Sequence, residues 1–268
     1  MDALHQVDAW DVPFAAVGVT TADAVLATHG DATRRLPLAS VSKPIAALAT
    51  LVAAEEGVVD LDEAAGPPGA TVRHLLAHAS GLPFEGGRPI APPGRRRIYS
   101  NEGFQVLGDH VATAAEMPFA EYVREAVAAP LGLGLDPSGH PGAGMEASLD
   151  DLLAVARELL APRLVAAETH AEMVAVQFPG LDGVLPEYGR FRPLDWGLGV
   201  ELKGDKPGHW SGTRTSPATF GHFGGAGTFA WVDPERGVGC AGITTRRFGD
   251  WAKVAWPRLS DAVLEELG

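Results

Sequence analysis

The chain has 268 residues, 46% of them hydrophobic, which allows a substantial core and disfavours a disordered or fibrous protein. Its net charge of −13 disfavours nucleic acid and anionic membrane surfaces as partners, because both attract basic patches. The single cysteine, Cys240, excludes an internal disulfide framework. The sequence shows no secretory signal and no apolar run of about 18 residues, so we expect a soluble cytoplasmic protein without a membrane segment.

The first part of the chain is predicted to begin with strands and to continue with helices. Residues 13–20 and 24–29 are short apolar runs separated by a polar tripeptide, which is typical of a hairpin. Residues 40–56 follow with apolar side chains at helical spacing, and Gly57 marks the end of this helix. From about residue 71 to residue 160 the pattern is helical, broken by Gly-Pro clusters. The middle of the chain is therefore predicted to be mostly α-helical.

The C-terminal third returns to strand patterns. Its apolar and aromatic runs predict strands in three segments, residues 196–201, 222–232 and 237–245. Residues 233–236, with the sequence Asp-Pro-Glu-Arg, predict a turn. The final segment, 250–267, predicts a helix that is interrupted near Pro257.

The order of these elements predicts an α+β fold. Strands at both ends of the chain predict one antiparallel sheet that is built from both ends and flanked by helices. We assign residues 1–60 and 190–268 to the lobe that contains this sheet, and residues 61–189 to an inserted, mostly helical lobe. The two lobes are expected to form a single compact catalytic unit, because the Pro-Gly clusters are typical of loops within one body.

Ser40 and Lys43 form an S-x-x-K pattern at the start of the predicted helix. A spacing of three residues places the hydroxyl and the amine on one helix face, which allows proton transfer between them. A lysine can activate a serine only if its pKa falls well below the usual value of about 10.4. The pattern alone is common, and Ser40 as a helix cap with Lys43 as an exposed lysine is the alternative interpretation.

Two later motifs support the catalytic interpretation. Tyr99-Ser100-Asn101 contains the only asparagine of the chain, and His222-Phe223-Gly224-Gly225 opens a predicted strand. With S-x-x-K, Y-x-N and H-x-G in this order, the sequence resembles the serine β-lactamase and penicillin-binding-protein superfamily, in particular its class C-like branch. Residues 75–82 and 196–199 are similar to further motifs of that family. The resemblance covers nearly the whole chain and implies a β-lactamase/transpeptidase-like fold.

The resemblance also implies catalytic roles. Ser40 would be the nucleophile, Lys43 its base, and Tyr99 the residue that relays protons to the leaving group. His222 would lie near Tyr99 and Lys43, where it can orient the tyrosine, assist proton transfer or help to lower the pKa of the lysine. The mechanism that the resemblance implies uses no cofactor and no metal.

Substrate contacts follow from the same resemblance. Asn101 and Gly224 would bind the substrate, and the backbone N–H groups of Ser40 and Gly225 would form the oxyanion hole. His222 stands where many penicillin-binding members carry lysine, which favours the esterase and D-peptidase branch. We therefore expect a serine hydrolase that forms an acyl-enzyme with a small ester or D-amino-acid amide, with a β-lactam as a further candidate substrate.

Two alternatives use the same motifs. A catalytically weak, penicillin-binding-like module would use the cleft for binding alone, and an acyltransferase would pass the acyl group to an acceptor other than water. Arg95-Arg96-Arg97 favours a solvated loop, with attraction of an anionic substrate group as the second interpretation. His74 and His78 have a spacing that suits zinc, but no third ligand follows, so no metal site is expected. The sequence leaves the oligomeric state open.

Overall fold

The computed structural model describes residues 1–268. Its eleven strands are β1 (Ala15–Thr20), β2 (Val25–His29), β3 (Leu36–Pro37), β4 (Arg97–Ile98), β5 (Glu146–Ala147), β6 (Gly183–Leu185), β7 (Gly189–Phe191), β8 (Glu201–Leu202), β9 (Phe220–Gly224), β10 (Thr228–Asp233) and β11 (Val238–Thr244). Its eight α-helices are α1 (Ser42–Glu55), α2 (Val72–Leu76), α3 (Asn101–Ala114), α4 (Phe119–Val123), α5 (Ala129–Leu131), α6 (Leu149–Leu160), α7 (Ala167–Met173) and α8 (Asp250–Leu267). Two 3-10 helices, Asp2–Ala9 and Ala39–Val41, and a π-helical segment, Arg124–Ala128, complete the list.

Six strands form the main sheet in the order β2-β1-β11-β10-β9-β8, and every neighbouring pair is antiparallel. β1 pairs with β11 along its whole length, from Ala15 opposite Thr244 to Thr20 opposite Gly239. This pairing joins the N-terminal hairpin to the C-terminal strands. The predicted α+β fold, with one antiparallel sheet built from both chain ends, is confirmed.

Helices cover both faces of this sheet. Val17 and Val19 of β1 belong to a buried cluster that also contains Trp256 of α8. On the opposite face α6 packs so closely that a Cβ added to Gly18 would lie 2.7 Å from the Leu153 side chain. Successive residues of β1 therefore point into different cores, which fixes the register of the strand because a slip of one residue would exchange the two faces.

Helices are the main regular structure of the region between the two parts of the sheet, with long loops between them. The region also contains a small sheet in the order β4-β6-β7 and the pair β3-β5. α6 belongs to this region by sequence but packs on the main sheet. The division into residues 1–60 with 190–268 and residues 61–189 stays a prediction. None of the helices combines the length and the apolar character that a bilayer span requires.

Two of the predicted C-terminal strands differ in the structure. Residues 196–201 are not a strand, because the backbone turns back on itself: Gly197 N donates to Val200 O, and only Glu201 enters a strand. Residues 222–232 form two strands, β9 and β10, joined by a tight turn that ends at Gly227. Gly227 has φ +94°, and a Cβ there would lie 1.9 Å from Arg246 O, so this turn requires glycine.

Helix boundaries differ at two positions. α8 runs without interruption through Pro257, since its apolar side chains, among them Trp256 and Leu259, are buried against the sheet and hold the helix together. Ser40 lies in the short 3-10 helix, and α1 begins two residues later, at Ser42. The predicted turn at residues 233–236 connects β10 to β11.

Candidate active site

Ser40 lies near the end of β9, in a turn whose backbone contacts both β9 and β10. Thr228 Oγ1 donates to Leu38 O at 2.6 Å, and a Cβ added to Gly224 would lie 2.3 Å from that same carbonyl oxygen. Ala39 has φ +46°, a left-handed conformation that is strained for alanine and presents the next residue outward. β9 and β10 therefore fix the backbone that carries the Ser40 hydroxyl.

Lys43 projects from the first turn of α1 into a site closed to solvent. Its Nζ lies 3.3 Å from Ser40 Oγ, 2.7 Å from Asn101 Oδ1 and 2.8 Å from Gly142 O. The side chain is fully buried, and no carboxylate pairs with it. Burial lowers the pKa of Lys43 well below its usual value.

The three neighbours of Lys43 Nζ suit an uncharged amine. Asn101 Oδ1 and Gly142 O are acceptors only, so they take the two hydrogens of a neutral amine. The lone pair then faces the Ser40 hydroxyl, which can donate to it. Chemically, the arrangement allows Lys43 to accept the Ser40 proton.

Tyr99 follows β4 and immediately precedes α3, whose N-cap is Ser100. Its ring packs on His78, with 4.5 Å between ring centroids, and Lys43 Nζ lies 4.6 Å from its centroid. Burial raises the pKa of Tyr99, and the Ser40 hydroxyl opposes that shift. The phenol therefore stays protonated at neutral pH and is available as a hydrogen-bond donor.

His222, on β9, lies 3.4 Å by its Nε2 from Tyr99 Oη. Its Nδ1 lies 2.7 Å from Phe223 O, and because a carbonyl only accepts, Nδ1 carries the proton and Nε2 accepts from the Tyr99 hydroxyl. Burial is the main cause that lowers the pKa of His222 to about 3. His222 is thus a neutral acceptor that aims the tyrosine hydroxyl.

Two backbone N–H groups point to the same space. The N–H groups of Ser40 and Gly225 make no hydrogen bond within the protein. Both residues line one cavity together with Tyr99 and His222. Unpaired donors beside a nucleophile can bind the oxygen of a tetrahedral intermediate.

The cavity above Ser40 is small, at about 240 Å³. Besides the polar residues already named, its wall is largely apolar, formed by Phe84, Leu185, Pro186, Phe223 and Phe248, with Glu187 and Arg247 at its edge. A volume of this size is below the common range of about 300–1,000 Å³ for ligand pockets, so it suits a small reacting group.

Comparison with known proteins identifies the family of this chain. The family model described as Beta-lactamase matches residues 5–264. The chain belongs to the β-lactamase family. The crystal structure of a β-lactamase from Mycobacterium bovis is 51% identical to this chain, with a TM-score of 0.97 and 98% of each chain covered.

More distant matches of this β-lactamase-family chain are one protein of similar fold and one protein that is similar over part of its sequence. EstCE1, described as a hydrolase with promiscuous acyltransferase activity, superimposes with a TM-score of 0.80 at 18% identity, covering 98% of this chain and 96% of EstCE1. Penicillin-binding protein 4* from Bacillus subtilis is 28% identical over 129 residues, which is 36% of this chain. That alignment spans only 29% of the length of the curated relative.

The structure brings the predicted site residues of the β-lactamase-family chain together, but three of them do not line the cavity. Lys43 is fully buried and contacts Ser40 Oγ. Asn101 contacts Lys43 rather than open space. Gly224 is buried, and its lack of a side chain allows the approach of β9 to Leu38. Gly225, the next residue, reaches the cavity instead.

Sequence reasoning missed three contributors to the site. Gly142 supplies a carbonyl oxygen to Lys43, and a backbone group leaves no trace in a motif. His78 accepts from Ser100 N through Nδ1 at 3.1 Å and supports the Tyr99 ring, and its position in the 75–82 motif was the available signal.

Glu201, the third, is a buried anion on β8, beside the strand that carries His222. Burial by itself raises its pKa, but His209, Lys206 and Trp210 together hold it at about 2. Trp210 Nε1 donates to Glu201 Oε2 at 2.8 Å, and His209 Nε2 lies 3.3 Å from Oε1. This carboxylate raises the pKa of Tyr99 and of His222.

The remaining candidates lie elsewhere or serve the fold. Arg97 is buried rather than solvated, and its guanidinium donates to the carbonyls of Ala77, Leu194 and Gln177. His74 hydrogen-bonds Thr71 while His78 faces Tyr99, so the two histidines do not converge. The side chains that could hold a metal ion are His5, Asp8 and His29, a surface group outside the cavity.

Proposed function

We propose that this protein is a serine hydrolase that forms an acyl-enzyme on Ser40. The observation that carries the proposal is the position of Lys43 Nζ, 3.3 Å from Ser40 Oγ, fully buried and without a carboxylate partner. A charged ammonium in such a place is strongly disfavoured, so the amine is a base at neutral pH. An exposed lysine on a helix, which was the alternative interpretation of Lys43, would have none of these properties.

In the proposed acylation step, Ser40 Oγ attacks the carbonyl carbon of the substrate and its proton passes to Lys43 Nζ. The carbonyl oxygen becomes an oxyanion, which the N–H groups of Ser40 and Gly225 bind. As the bond to the leaving group breaks, Tyr99 donates its proton to the departing atom and recovers one from Lys43. The products are the acylated serine, the neutral leaving group and a neutral lysine.

Deacylation would reverse the roles with water as the nucleophile. A water molecule gives one proton to the Tyr99–Lys43 pair while its oxygen attacks the ester carbon. The same two N–H groups bind the second oxyanion, and the proton returns to Ser40 Oγ when the acyl bond breaks. His222 is a neutral acceptor that holds the Tyr99 hydroxyl in place before reaction, and in each step Tyr99 turns its proton from His222 Nε2 to the departing atom.

The proposed substrate is a small ester or a D-amino-acid amide. A cavity of about 240 Å³ with largely apolar walls suits a short acyl group. The Mycobacterium bovis relative is described as a β-lactamase, so a β-lactam belongs in the test. Many penicillin-binding members carry a lysine at the position of His222, where its charge anchors a substrate carboxylate. The pKa of His222 is about 3, so this residue is neutral and offers no such anchor, which favours an ester or amide over a β-lactam.

Acyl transfer is the second candidate. EstCE1 is described as a hydrolase with promiscuous acyltransferase activity and shares the fold. The apolar wall formed by Phe84, Phe223 and Phe248 would favour an alcohol over water beside the acyl group. Product analysis with added acceptor alcohols distinguishes the ester of that alcohol from the free acid. The penicillin-binding-like module without turnover is the third candidate, and the intact Ser40, Lys43 and Tyr99 geometry argues against it.

The deciding experiment measures hydrolysis of p-nitrophenyl acetate, p-nitrophenyl butyrate and nitrocefin by the wild type and Ser40→Ala. Intact mass is recorded after exposure to a fluorophosphonate. We expect ester turnover and a single adduct in the wild type, and neither in Ser40→Ala. Ser138→Ala, which removes an exposed hydroxyl outside the cavity, is the matched control and should keep both. An adduct that persists in Ser40→Ala would refute the assignment of the nucleophile.

A further inference from the structure

A second, larger cavity adjoins the one above Ser40. It has a volume of about 660 Å³ and shares Phe84, Tyr99 and Pro186 with the smaller cavity. Any substrate that extends from Ser40 past Tyr99 therefore enters this space. Because four arginines contribute to its wall, we call it the arginine groove: Arg95, Arg96, Arg97 and Arg190.

The charge of the arginine groove is opposite to that of the protein. The whole chain carries −13, yet four arginines and only one acidic residue, Asp182, line this wall. The guanidinium of Arg97 is buried and donates to backbone carbonyls, so the groove-facing charge comes from the other three. Arg95 and Arg96 are exposed and form no ion pair, and Arg96 donates only to Ile90 O, at 3.4 Å. Two unpaired guanidinium groups face a space that is continuous with the nucleophile.

The same wall already holds one carboxylate between two arginines. Asp182 Oδ2 lies 3.1 Å from Arg190 Nη2 and 3.2 Å from Arg192 Nε. Arg97 lies below the surface of the groove. Burial lowers its pKa to about 10, so its guanidinium is still charged at neutral pH and adds to the positive potential. Guanidinium groups bind carboxylates through paired hydrogen bonds, so the groove has the donors for a second carboxylate at Arg95 and Arg96.

The groove is also apolar. Three of the eight large hydrophobic side chains that are exposed on the protein lie in it: Phe84 at 47%, Ile90 at 57% and Val184 at 57% exposure. Apolar side chains clustered beside a reacting centre gain free energy when a ligand covers them. Cationic and apolar groups together match a ligand that has both an apolar segment and an anionic end.

We propose that the arginine groove binds the remote part of the substrate, and that the preferred substrate carries an apolar segment ending in a carboxylate. This inference rests on the proposed acyl-enzyme chemistry at Ser40. Binding energy from a remote carboxylate would hold the scissile bond in the small cavity above the nucleophile. The groove thereby extends a site that is too small for such a substrate on its own.

The test compares two esters with the same eight-carbon acyl chain, mono-p-nitrophenyl suberate and its neutral methyl ester. In the wild type we expect kcat/KM for the half acid to exceed that for the methyl ester by about tenfold at low salt, from two partly exposed ion pairs. The preference should shrink at high salt because the groove is open to solvent. Arg95→Gln with Arg96→Gln should remove most of it, and Arg236→Gln with Arg258→Gln, two exposed arginines outside the groove, should retain it.

The two proposals fail in different ways. Equal kcat/KM for both esters in the wild type, or equal losses for both in the Arg95/Arg96 variant, would overturn the arginine groove while leaving the acyl-enzyme intact. Absence of turnover for both esters would reject the acyl-enzyme. Calorimetric titration of Ser40→Ala with both esters then tests the groove alone: tighter binding of the half acid supports it, and equal binding rejects it.

Discussion

Replacing Lys43 with methionine tests whether this amine is uncharged in the folded protein. Burial lowers the pKa of Lys43 well below 10.5, whereas the unfolded chain keeps the usual value. Between these two pKa values the unfolded chain binds one more proton than the folded protein. The unfolding free energy of the wild type therefore rises with pH in this window, by about 1.4 kcal/mol per pH unit from this group.

The methionine variant lacks that contribution. At a single pH the difference between the two proteins also contains the loss of donors to Asn101 Oδ1 and Gly142 O, at about 1–3 kcal/mol for each acceptor left unpaired. This second contribution does not depend on pH. The unfolding free energy of Lys43→Met relative to the wild type should therefore be highest at the low end of the window. It should decrease steadily as the pH approaches 10.5. Its kcat/KM should fall by about 10²–10⁴ with loss of the base.

The measurement is urea unfolding of both proteins at intervals between about pH 6 and about pH 10, with ester hydrolysis recorded on the same samples. Lys253→Met is the matched control, because Lys253 lies beside Asp250 on α8 and is partly exposed. Its unfolding free energy should follow the wild-type pH dependence. Parallel curves for Lys43→Met and the wild type would mean that Lys43 is charged in both states, and the assignment of Lys43 as a neutral base would be refuted.

Three further predictions test the proton path, the close approach at Gly224 and the buried ion pair at Glu201. Tyr99→Phe keeps the ring packing and should lower kcat by about 10²–10⁴ with little change in melting temperature; a wild-type kcat would remove Tyr99 from the proton path. Gly224→Ala should reduce both activity and stability, because its Cβ would lie 2.3 Å from Leu38 O. Gly225→Ala is the control and should keep the fold, because its Cβ would have no neighbour within 4 Å. Equal melting temperatures for the two variants would contradict the close approach at Gly224. Glu201→Gln should destabilise the protein by about 3–5 kcal/mol, since it leaves the buried Lys206 ammonium without its carboxylate partner, and an unchanged unfolding curve would show that this ion pair is dispensable.

The sequence predicted the fold and much of the site where the pattern was local or where motifs occurred in order. The spacing of Ser40 and Lys43 places both side chains on one face of a helical turn, and the structure puts their polar atoms 3.3 Å apart. Tyr99 and His222 are 123 residues apart in the sequence, and only the family resemblance predicted that they lie together. Their roles in catalysis stay predictions.

The features that were missed depend on contacts that no local pattern encodes. A carbonyl such as Gly142 O is present in every residue, so its proximity to Lys43 follows only from the path of a loop. Glu201 looks like an ordinary strand glutamate until the fold surrounds it with His209 and Lys206. The run at residues 222–232 is mostly apolar, and hydropathy alone could not reveal the turn that divides it at Gly227.

The catalytic groups come from both hydrophobic cores, and this explains how a buried lysine is tolerated. Lys43 lies on α1, whose apolar residues, such as Ile45 and Leu48, belong to the larger cluster. Tyr99 and Phe223, next to His222, belong to the smaller cluster on the other side of the sheet. Desolvation of one lysine costs several kcal/mol, an amount that two well-packed clusters can offset but an isolated helix cannot. Close contacts such as Gly224 against Leu38 therefore set the position of the Ser40 turn relative to β9 and its His222, so changes there should alter kcat more than they alter KM.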